Sequence, residues 1–104
     1  MAEVIVSTVF QPKPDGKETL IAALREGIPA VHSEDGCMIY AIHDAEDGTI
    51  VMLEKWASRE DLDAHAAGPA MKRLDALVAH HLERPVTWTT MTPIPAGSDR
   101  QGLL

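Results

Sequence analysis

The chain predicts an α+β fold of ferredoxin-like β-α-β-β-α-β order, a four-stranded antiparallel sheet with helices on one side. Three features lead there. Short runs rich in β-branched and other apolar residues begin at Val4, Cys37, Ile50 and Val86. Stretches with apolar residues at helical spacing separate the first run from the second and the third from the fourth. Only a short acidic turn separates the second run from the third, which makes those two a hairpin.

Val4 to Phe10 (VIVSTVF) is apolar at nearly every position and stops at Gln11-Pro12, so it reads as a strand buried on both faces. Lys13-Pro14-Asp15-Gly16 is a turn. From Lys17 to about His32, the residues Leu20, Ile21, Leu24, Ile28 and Val31 form one stripe of a helix. Pro29 is expected to kink that helix or leave it a last irregular turn. Glu34-Asp35-Gly36 is the exit turn. Cys37 to His43 is the second strand, with Cys37, Ile39, Ala41 and His43 on one face and Met38, Tyr40 and Ile42 on the other. Asp44 to Gly48 closes the hairpin, with Gly48 at positive φ. Ile50 to Trp56 is the third strand, and Ile50, Met52, Glu54 and Trp56 share a face.

Ser58 caps the next helix, with Asp61 standing where a capping box usually has Glu or Gln. The helix carries Leu62, His65 and Ala66 and stops at Gly68-Pro69. A second helical stretch runs from Ala70 to about Leu82, with Met71, Leu74, Leu77, Val78 and His81 on one side, and Arg84-Pro85 ends it. Val86 to Thr92 is the fourth strand. One domain of 104 residues results, with a core over about 3–92 and a Pro- and Gly-containing tail over 93–104 that is either disordered or laid on a partner subunit.

A domain of this size buries only about 60–65% of its unfolded surface, so its core is thin. No second layer of helices exists to cover the other side of the sheet, and another copy of the same sheet is the direct solution; a homodimer packed sheet against sheet is expected. The formal net charge of -7 rules against nucleic acid and anionic membranes as partners. No segment approaches the roughly 20 apolar residues of a membrane helix. The lone Cys37 and the acidic opening Met1-Ala2-Glu3 suit a cytoplasmic protein without a secretory leader.

Four residues are candidates for chemistry. Trp56 is either a core aromatic closing the strand end or a pocket wall whose indole N–H donates to a flat ligand. Glu54 on the same face is either ion-paired or a carboxyl of raised pKa available as acid or base. His65 is either a helix-end histidine or a base over the Glu54/Trp56 face. Tyr40 either donates to a ligand oxygen or fills space. Met52, Leu62 and Met71 are the expected lining of the pocket. His80-His81 lacks the i, i+4 spacing of a helical ligand pair, and no HExxH, GxGxxG, GxxxxGK[ST] or GxSxG is present, so no metal or nucleotide cofactor is expected.

Gly36-Cys37, Tyr40, Asp44, Glu54-Lys55-Trp56-Ala57-Ser58 and His65 together resemble the pattern of the antibiotic-biosynthesis-monooxygenase-like family of small dimeric α/β-barrel proteins, over roughly residues 3–92. The resemblance implies a dimeric barrel and, in the members that oxidise anthrones or quinols with O₂, chemistry without cofactor. There a phenol is deprotonated in a dry pocket, and its carbanion-like form passes an electron to O₂. His65 as base, Tyr40 as donor and Trp56 as wall would fill those roles. Where the anthrone-oxidising members have an Asn, this chain has Met52. Haem-degrading members carry a His on the helix after the break, whereas Lys72-Arg73-Leu74-Asp75 has none. The expected function is a cofactor-independent monooxygenase acting with O₂ on a quinol or polycyclic phenol. The alternatives are a non-catalytic small-molecule-binding or stress-response protein, and an isomerase using Glu54 and His65 as an acid-base pair.

Overall fold

The computed structural model describes residues 2–104. The β-branched run forms strand β1 (Val4–Phe10), and the stripe of Leu20, Leu24, Ile28 and Val31 forms the buried side of helix α1 (Lys17–His32). Strands β2 (Cys37–Asp44) and β3 (Ile50–Trp56) make the hairpin, with Gly48 at φ 93 in its turn. Helix α2 (Arg59–Ala67) follows, then α3 (Pro69–Val78), a 3₁₀ turn (Ala79–His81), strand β4 (Thr87–Met91) and a short helix α4 (Asp99–Gly102). The sheet order is β2-β3-β1-β4 with every neighbouring pair antiparallel, which is the ferredoxin-like arrangement.

The register sets one face of the sheet. Val4, Val6, Thr8 and Phe10 of β1 stand opposite Trp56, Glu54, Met52 and Ile50 of β3. Tyr40 and Ile42 of β2 stand opposite Glu54 and Met52. α1, α2 and α3 cover this face, and the core forms between them around Leu20, Leu24, Val31, Met52, Trp56 and Leu74. The other face shows Ser7, Val9, Val51, Leu53 and Ile39 half-buried.

Four local details differ from the sequence reading. A β-bulge between Cys37 and Ile39 places Cys37 opposite Trp56, on the helix-covered face, rather than with Ile39. The bulge absorbs one residue, so strict alternation fails there and Met38 is left exposed. α1 runs through Pro29 to His32; so near the helix end, the ring removes one donor without ending the helix. The second helical stretch is α-helical only to Val78 and tightens into the 3₁₀ turn short of Leu82. The tail carries a short helix and meets this chain's own sheet. Ser98 caps α4 through the Gln101 amide, and Lys55 on the open face donates to the Leu104 carbonyl at 2.7 Å. A lysine on a half-apolar face needs an acceptor, and the tail end supplies one alongside Glu3 at 3.5 Å.

The turn after α1 is held by Gly36 at φ 76, whose carbonyl accepts from the Ala57 amide at 2.9 Å. A Cβ here would run into the Asp61 side chain, which in turn takes the Ser58 hydroxyl at 3.0 Å. Gly48 has the same handedness but open space around it. Gly48→Ala should therefore lose only the left-handed backbone penalty, about 1–2 kcal/mol. Gly36→Ala should lose that plus an overpacking cost of about 1–3 kcal/mol. Denaturant unfolding of both variants checks this, and equal losses would contradict the contact at Asp61.

Candidate functional site

Glu54 lies in the middle of the covered face of β3 and is buried. A carboxylate there needs donors, and its sheet neighbours provide them. The Trp56 indole N–H donates to Oε1 at 3.0 Å, and the Thr8 hydroxyl donates to Oε2 at 3.1 Å. Period two along a strand puts Trp56 beside Glu54, and the antiparallel register brings Thr8 near from β1. Burial pushes the Glu54 carboxyl above the ordinary glutamate range; the two hydrogen bonds and the neighbouring His65 oppose that in part.

His65 is the only fully buried residue of α2, at 4% exposure. Its Nδ1 lies 2.6 Å from Oε1 of Glu34, in the turn that follows α1. A carboxylate only accepts, so Nδ1 carries the proton, and in the uncharged form of the ring the lone pair then lies on Nε2. No buried side-chain nitrogen or oxygen among the described residues lacks a partner; Nε2, which makes no hydrogen bond, is open to the cavity that His65 lines. The imidazole packs on the Trp56 ring with centroids 4.5 Å apart and meets the Tyr40 ring edge-on at 5.3 Å.

A cavity of about 380 Å³ opens between the sheet and helices α2 and α3, within the size range of small-molecule sites. Tyr40, Glu54, Leu62, His65 and Met71 all line it, so five of the seven residues expected at the site converge there. Met52 and Trp56 do not line it. Both are fully buried, Met52 in the centre of the sheet under the helices and Trp56 behind His65, where it spends its N–H on Glu54. The Tyr40 hydroxyl points to the Met71 sulfur at 3.8 Å, a weak acceptor that a ligand oxygen can replace at little cost. Burial raises the Tyr40 phenol above its ordinary range, ahead of the effect of Glu54, so the hydroxyl keeps its proton.

Three contributors are not readable from the sequence pattern. Thr8 and Glu34 act through contacts 46 and 31 residues away in the chain. Trp88, on edge strand β4, stands at the cavity mouth and is 66% exposed. Its place opposite Thr8 in the register was the available signal, once strand order is known. Arg59, Asp63 and Asp75 complete the rim. Among the described residues, no three His, Cys, Asp or Glu side chains gather as a metal-holding group.

The sequence profile of the antibiotic biosynthesis monooxygenase family matches residues 3–77. Rv0793 of Mycobacterium tuberculosis, provisionally described as a monooxygenase, is 35% identical over 96 residues, spanning 91% of this chain and 95% of that protein. Its structure aligns with a TM-score of 0.82 over 93% of this chain and 100% of its own. A solved antibiotic biosynthesis monooxygenase is 26% identical, with a TM-score of 0.78 over 88% of this chain and 99% of its own. A conserved protein from Methanosarcina mazei Go1 shares the fold at 22% identity and a TM-score of 0.80.

The buried carboxyl makes a pH prediction. Because the folded state raises the Glu54 pKa above the ordinary 4.5, the folded chain holds the proton more tightly than the unfolded chain between those two values. Its contribution to stability is therefore greatest at low pH and is lost as pH rises from the unfolded value through the folded one. The unfolding free energy of the wild type minus that of Glu54→Gln should fall across that window and level off above it. A difference that stays flat or rises with pH contradicts the burial of this carboxyl.

Proposed function

The chain belongs to the antibiotic biosynthesis monooxygenase family, and from that premise we propose that it is a cofactor-independent monooxygenase acting with O₂ on a quinol or polycyclic phenol in the cavity between sheet and helices. The observation that carries this reading is the Glu34–His65 pair at 2.6 Å, which turns the bare Nε2 of a buried imidazole toward an apolar cavity. Nε2 takes the substrate hydroxyl proton as general base, and Glu34 keeps the ring in the tautomer that can do so. The Tyr40 hydroxyl donates to the phenolate oxygen as charge builds there. The electron-rich ring passes one electron to O₂, and the semiquinone and superoxide combine into a C–O bond. The imidazolium returns its proton to the distal peroxide oxygen. Loss of water then leaves one oxygen atom on the ring as a carbonyl, so that a hydroquinone plus O₂ gives a hydroxyquinone plus H₂O.

Glu54 is the reason an isomerase remains a second reading. Its carboxyl, raised by burial, lines the same cavity as His65, and such a pair can move a proton between two carbons of a carbonyl compound. In either reading the functional unit is a homodimer packed open face to open face. Supporting that, Val9, Val51, Leu53 and Ile39 are half-buried on the face opposite helices α1, α2 and α3. A cytoplasmic site of action suits the single half-buried Cys37.

Oxygen uptake by metal-stripped protein with a panel of hydroquinones and anthrones, in chelator, tests the assignment. Uptake above spontaneous oxidation is expected, with a loss of about 10²–10⁴-fold in His65→Ala, the usual worth of a general base. Glu34→Gln offers an amide N–H to Nδ1 and so favours the wrong tautomer; a loss of about tenfold or more is expected. Uptake unchanged in His65→Ala removes the base from the mechanism. No uptake with any substrate removes the oxygenase reading.

A further inference from the structure

The charges around the cavity restrict what can enter it. Glu54 at its floor and Asp75 at its rim have no lysine or arginine partner among the described residues. The one guanidinium among the lining residues, Arg59, meets Asp63 through Nε at 3.1 Å, and Glu54, Asp63 and Asp75 set three carboxyl groups against it around the same cavity. Any positive charge gained by His65 is already matched by Glu34 at 2.6 Å. The lining therefore carries more carboxyl groups than cations for an anionic ligand to meet. It does hold an unpaired acceptor, the Nε2 of a histidine that is 4% exposed and faces the cavity.

We infer that this cavity selects uncharged, hydroxyl-bearing aromatic molecules and rejects those carrying a carboxylate or phosphate. The inference rests on the proposed reading of this cavity as the substrate site. A hydroxyl donates to Nε2 or to a carboxylate oxygen, and the apolar walls of Val6, Phe10, Leu74 and Val78 take the rings. An anion instead sheds its water next to Glu54, in a lining where carboxyl groups outnumber cations. Like charge at short range in a partly dry site adds to that cost, and the combination acts as a built-in rejection of anionic analogues. Phosphorylated sugars fall on the rejected side, so the same feature separates the oxygenase substrates from one class that an isomerase would use.

The test uses three probes that differ chiefly in charge: 2-naphthol, 6-hydroxy-2-naphthamide and 6-hydroxy-2-naphthoate. Their binding to the full chain is measured by isothermal titration calorimetry under argon, so that no turnover intervenes. The amide and the carboxylate have nearly the same shape. The amide is expected to bind about tenfold or more tighter than the carboxylate. Glu54→Gln and the rim variant Asp75→Asn should each narrow that ratio, and Asp75 is exposed, so its replacement leaves the core intact. A carboxylate that binds as tightly as the amide, a ratio unmoved in both variants, or failure of both neutral probes to bind overturns the inference. Charge selection with no oxygen uptake would leave the inference standing and remove the oxygenase. Uptake with no charge selection would do the reverse.

Discussion

The contact between Glu34 and His65 places the element on which the site depends. α2 has few apolar anchors: His65 is its only buried residue, and Leu62 packs half-buried against the core. The helix is instead held by polar contacts to the turn after α1. Asp61 packs over Gly36, and His65, one helical turn further along, meets Glu34. The Ala57 amide, just before the helix cap, closes the same turn by donating to the Gly36 carbonyl. A single glycine-containing corner thus sets where α2 begins, how it is rotated and which nitrogen of His65 faces the cavity.

The sheet supplies the complementary half. Burying Glu54 in an apolar face carries a desolvation cost of several kcal/mol unless its oxygens are bonded. Trp56 and Thr8 bond both of them. The same indole that serves Glu54 supports the His65 ring from behind, with ring centroids 4.5 Å apart. Tyr40 touches both rings edge-on. Glu54, His65 and Tyr40 are therefore held against one aromatic residue, Trp56, that does not itself line the cavity. The family and fold assigned by the comparisons fit this arrangement, while the chemistry depends on the side chains above.

Much of this is legible in the chain before it is folded. The β-branched runs and the Gly68-Pro69 break mark the elements, and His65 reaches the covered face because helical period carries it there from the Ser58 cap. Glu54, Tyr40, Leu62 and Met71 reach the cavity for the same periodic reasons. What pattern cannot provide is pairing across distance. Glu34 reads as a turn residue until the fold brings it to His65, and Thr8 reads as strand filler until β1 meets β3. Trp56 lies on the face that periodicity assigns to it but one layer deeper than the cavity, because His65 packs over it. The Cys37 assignment fails for a different reason, as a bulge breaks the period of two on which it rests.

The most direct measurement is the tautomer of His65, read from the ring nitrogens in long-range ¹H–¹⁵N NMR spectra at a pH well above the histidine range, with His65→Ala to assign the signals. The account requires a protonated, pyrrole-type Nδ1 and a bare, pyridine-type Nε2, and requires that Glu34→Gln shift this balance. A proton found on Nε2 in the wild type would mean that the imidazole presents no base to the cavity, and would contradict the account.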